Sequence, residues 1–105
     1  MIFRRSRFSD VIERQLDAFA EDEARGLLEE VRDAKARYDR ADRDEAEEMY
    51  GDYVDVVEAA TEALADMRRR YAQTLDDDAA EEYEEVFNRA VQKRWPPLGL
   101  EIENR

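Results

Sequence analysis

Residues 44–75, DEAEEMYGDYVDVVEAATEALADMRRRYAQTL, restrict the possible folds more than any other part of this chain. Apolar side chains recur at Ala46, Tyr50, Tyr53, Val57, Ala60, Leu64, Met67, Tyr71 and Leu75. Steps of three and four bring a helix back to the same side, so the segment predicts one long amphipathic helix. A stripe that long is removed from water only by a second helix carrying a matching stripe.

The matching stripe lies upstream. Ser9 and Asp10 are good N-cap residues, and Asp10 with Glu13 has capping-box spacing. The face that follows reads Ile12, Leu16, Phe19, Ala20, Ala24, Leu27, Val31, Ala34, Tyr38 and Ala41. Gly26 interrupts it at a cost of about 1 kcal/mol relative to alanine, and marks a kink, a close contact or a break. The two stripes are out of phase, because Ala41 to Ala46 is a step of five. A turn through YDRADRDE resolves the mismatch, with Asp42 and Glu45 again at capping-box spacing. The competing boundary is Gly51-Asp52, and the turn near Asp42 is preferred because the second stripe runs through Gly51 undisturbed.

A third, shorter helix is expected after a cap at Asp76, Asp77 or Asp78. Its face is Tyr83, Val86, Phe87, Ala90, Val91 and Trp95, and Pro96-Pro97 ends it. In both later helices acids lead and bases trail, as the helix dipole favours. The tail alternates Leu98, Leu100 and Ile102 with Gly99, Glu101 and Glu103, which is strand periodicity. The expected fold is therefore all-α: an antiparallel hairpin of long helices plus a shorter third, in up-down-up order. Its parts are a basic arm over residues 1–9 carrying Arg4, Arg5 and Arg7, helices near 10–41, 43–75 and 78–95, and an extended tail over 96–105.

Length adds a constraint on assembly. Helices of about 30 residues are roughly 45 Å long, whereas a third helix of about 18 covers only about 27 Å. Part of the long groove stays uncovered, and the expected remedy is a homodimeric helical bundle. Tyr50, Tyr53, Trp95, Leu98, Leu100 and Ile102 are the candidate partner-binding residues.

Composition narrows the function. A formal charge of −12 repels phosphate backbones and anionic lipid, so neither nucleic acid nor membrane is an expected partner. The chain has no cysteine and no histidine, which removes thiolate chemistry, the commonest general base and the commonest transition-metal ligand. No apolar run approaches the roughly 18 residues of a membrane span, and MIFRRSRF lacks the apolar region of a signal peptide. The expected location is the cytoplasm.

Two carboxylate patterns carry the alternative readings. Glu45, Glu48, Asp52 and Asp55 are spaced three, four and three, which puts four oxygen donors on one helix face, suited to Mg²⁺ or Mn²⁺. Glu81, Glu82 and Glu85 match the EExxE half of a magnesium motif. In that respect they resemble the all-α nucleoside triphosphate pyrophosphohydrolases, which pair it with ExxD on the next helix. Nothing downstream of Glu85 supplies ExxD, so the match does not identify the family. The leading expectation is a small acidic protein without catalysis or cofactor, an adaptor or regulator acting through self-association and a protein partner. A divalent-metal module or Mg-dependent all-α hydrolase is the alternative.

Overall fold

The computed structural model describes residues 7–21 and 25–105. Arg4 and Arg5 of the expected basic arm lie outside the described residues. The described elements are all helical, and no strand occurs among them. They are α1 (Ser9–Glu21), α2 (Arg25–Arg40), α3 (Ala46–Ala72), α4 (Asp77–Arg94) and α5 (Gly99–Glu103), with a 3-10 turn at Pro96–Leu98 before α5.

The long stripe behaves as its spacing requires. α3 is a single helix of 27 residues that passes through Gly51. The turn before it lies at residues 41–45, where Asp42 Oδ1 accepts from the Glu45 amide at 3.0 Å. α2 packs along α3 on the other side of that turn. Asp76 caps α4 by accepting from the Ala79 amide at 2.9 Å.

Two expectations are corrected. Where one long helix was expected the described elements are two, α1 (Ser9–Glu21) and α2 (Arg25–Arg40), and Ala24 of the expected stripe lies outside the described residues. α1 turns its stripe onto α4: Phe8 meets Tyr83 at 5.5 Å, and Phe19 meets Trp95 at 5.7 Å. The reason is burial. Beside α4, Ile12, Leu16 and Phe19 all leave water, each worth about 1.5–3 kcal/mol. Gly26 makes no close contact, since a Cβ built there meets nothing within 4 Å.

The second correction concerns the tail, which is helical rather than extended. Pro96-Pro97 forms the 3-10 turn, and α5 doubles back onto α4 and α3. Leu98 and Ile102 are four apart and buried at 1% and 0%, whereas Leu100 between them is 76% exposed. Alternation over three apolar residues also satisfies a four-residue helical repeat. With no sheet edge to pair with, a helix is the form that satisfies the backbone internally. Gly99 permits the close approach, because a Cβ there would lie 3.1 Å from Gln92 Cγ.

The core lies at one end. It is built on Tyr83, Phe87 and Val91 of α4, Leu64 and Thr61 of α3, Ile12 of α1, and Leu98 and Ile102, all almost fully buried. Phe8, Tyr71, Tyr83 and Phe87 form a chain of ring contacts through it. α3 is longer than this core. At 1.5 Å per residue it extends roughly 40 Å, and the molecule measures 50 × 33 × 24 Å. The radius of gyration is 15.7 Å, against roughly 13 Å for a compact domain of this length. The excess is a two-helix arm, residues 35–56, made of the end of α2, the turn and the first half of α3.

Candidate interaction surface

The arm is defined by what it lacks. Ala34 and Val57 are buried, and no residue between them is. Its apolar side chains still follow the seam spacing, because α2 and α3 face each other there. Tyr38 and Tyr50 meet at 5.3 Å between ring centroids, tilted by 56°. Tyr50 nevertheless stays 51% exposed, and Tyr53, Met49 and Val54 are only half-buried. Two helices can cover one side of each other's stripe. The flanks need a third element, and although Tyr53 and Val56 touch the core cluster, no residue of the arm is fully buried.

Polar groups border the seam. Lys35 Nζ donates to both Asp39 carboxylate oxygens at 2.8 Å, and this hydrogen bond raises the lysine pKa above its ordinary value. Arg37 and Arg40 close the last turn of α2, and Glu47 and Glu48 open α3. Each set complements its helix dipole.

The predicted carboxylate row lies on this arm. Glu45, Glu48, Asp52 and Asp55 are all exposed and point away from the seam. Glu81, Glu82 and Glu85 on α4 are exposed as well. Among the described residues no group of three or more acidic side chains is placed to hold a metal ion.

The predicted partner-binding residues separate into two kinds. Tyr50 and Tyr53 belong to the arm. Leu98 and Ile102 are interior and hold α5 against the head, which leaves Leu100 as the exposed apolar side chain of the tail. Trp95 is half-buried between Phe19 and the Arg94 guanidinium, which lies 5.5 Å above its ring. Arg94 in turn donates to Asp17 Oδ1 at 2.6 Å. Beside Trp95 is an open cleft of about 420 Å³, lined by Ala20, Leu28, Val31 and Pro96, with Arg32 and Arg94 at its rim.

One residue escaped the sequence reading. Arg68 stands with Arg69 and Arg70 among the positive charges near the C-terminus of α3, yet it is only 6% exposed. Its Nη1 donates to Asn88 Oδ1 at 2.6 Å and to the Ile102 carbonyl at 3.0 Å, and its Nε has no hydrogen-bond partner. It ties α3 to α4 and α5. The signal was available, because Arg68 follows Val57, Thr61 and Leu64 in steps of four, three and four.

Among the described residues no helix is long and apolar enough to cross a membrane. Compared with models of known families, with curated proteins and with solved structures, the chain matches none.

Proposed function

We propose that this protein works by association: a small acidic helical adaptor or regulator that pairs with itself and presents a surface to a protein partner, without catalysis. The observation that carries this reading is the arm. A segment of 22 residues keeps a regular apolar seam yet buries none of its side chains. Partly exposed aromatic surface on a two-helix projection favours burial in an assembly over solvation. The up-down-up arrangement of the sequence reading fits the same picture, with two copies completing a four-helix core that one chain cannot close.

The test is mass and capture measured together. The chain mass is 12.4 kDa, and light scattering should approach twice that value as concentration rises. Immobilised protein should retain a partner that Tyr50→Arg bait fails to retain. A monomer at every concentration, with identical capture by both baits, contradicts the proposal.

A further inference from the structure

The distribution of charge on the arm says which surface a second copy meets. From Asp44 to Met67 the chain carries nine acidic residues and no lysine or arginine. The arm's share of α3 is therefore uniformly negative. The arm's share of α2, residues 35–40, carries Lys35, Arg37 and Arg40 against the single acid Asp39, whereas in the turn Arg43 is outweighed by Asp42, Asp44 and Glu45. Lys35 is engaged by Asp39 within its own helix. The two rails of the arm thus have opposite character, with the Tyr38–Tyr50 pair between them.

A two-fold axis converts this into self-complementarity. An isologous contact repeats each pairing twice, so α2 laid over α3 of a second copy brings basic rail to acidic rail on both sides. The alternative, α3 against α3, aligns like charges over the whole arm and is disfavoured. We infer that a second copy of this chain docks on the arm in this way, α2 over α3, burying Tyr50 and Tyr53 in a four-helix core. This rests on the association proposed above and specifies its surface.

Size sets the strength expected. The arm's share of α3, residues 46–56, gives a face about 16 Å long, and its share of α2, residues 35–40, covers about 9 Å of that. Two helices side by side make it roughly 20 Å wide. That is below the roughly 800 Å² per partner of a standard interface, so the dimer is weak and depends on concentration.

Sedimentation equilibrium on the full chain, from low micromolar to near millimolar, tests this. Wild type should pass from 12.4 kDa towards twice that mass. Tyr50→Arg should stay monomeric with unchanged helix content by circular dichroism, since Tyr50 is half exposed. Arg37→Glu with Arg40→Glu should weaken association at least tenfold, and adding Glu47→Arg, beside Tyr50 on the helix, should restore part of it. A dimer indifferent to Tyr50→Arg overturns the arm assignment while leaving self-association intact. A wild type that never dimerises overturns both. A monomer whose Tyr50 resonances move only on adding a basic peptide replaces the second copy with a cationic partner. Failure of the reversed charges to restore association overturns the α2-over-α3 arrangement.

Discussion

The same helix, α3, passes through two different environments. In the head, Val57, Ala60, Thr61, Leu64, Ala65, Arg68 and Ala72 are buried against α4, α5 and the rest of the core. In the arm, the same stripe continues through Tyr53, Tyr50 and Ala46 along α2, and none of the three is buried. Periodicity is equal in the two halves, and burial is not. A repeating apolar pattern specifies a helix and its buried side. Whether that side is sealed depends on how many other helices reach it.

Substitutions should separate the halves sharply. Phe87→Ala, in the centre of the head, should lose about 3–5 kcal/mol in denaturant unfolding. Tyr50→Ala, at low concentration, should change stability by about 0.5 kcal/mol or less. Similar losses at both sites would remove the distinction between head and arm.

Arg68 sharpens the same contrast from the polar side. Arg68→Ala takes the donor from Asn88 Oδ1 and one of several donors from the Ile102 carbonyl, and opens a cavity. The expected loss is about 2–4 kcal/mol, with α5 released first. Arg68→Met keeps most of the stem volume and should cost about 1 kcal/mol. If both variants cost the same, packing alone holds α5.

Alkaline unfolding reads the head through a single proton. Tyr83 is buried and donates its hydroxyl to Gln15 Oε1 at 2.9 Å, and burial pushes its pKa up from 10.0 to about 12. Between those values the folded chain keeps the proton and the unfolded chain has released it. Stability should therefore fall as pH rises through that window, and Tyr83→Phe should flatten the decline. A decline unchanged in the variant would place its cause elsewhere.

The smallest effect belongs to the arm. Gly51 is inside α3 with nothing within 4 Å of a built Cβ. Gly51→Ala should stabilise by about 1 kcal/mol or less, through helix propensity and a less flexible unfolded chain. A loss of stability would mean that the glycine serves a contact made only in an assembly.

The sequence carried the hairpin well. The spacing from Ala46 to Leu75 and the out-of-phase step at Ala41 specify one long helix and the turn before it. Those signals are local and repeat many times. Three features were harder to read. The packing of α1 on α4 depends on α4 offering its stripe a better surface, which is a long-range effect. The tail has only three apolar residues, too few to distinguish a two-residue from a four-residue repeat. Arg68 lies in a run of three arginines, and its charge masks its place on the stripe. For the candidate surface, the positions of Tyr50 and Tyr53 on the seam were legible, because the helical spacing repeats through them. Leu98 and Ile102 were not, because their burial depends on how α5 folds back.

Native-state hydrogen exchange followed against protein concentration tests the central claim most directly. In dilute solution, amides of residues 35–40 and 46–56 should exchange through small local openings, while those around Tyr83, Phe87 and Val91 exchange only through global unfolding. Raising the concentration should protect the arm selectively and leave the head unchanged. Equal protection of both regions, insensitive to concentration, would contradict an arm that is open in the single chain and closed by a second copy.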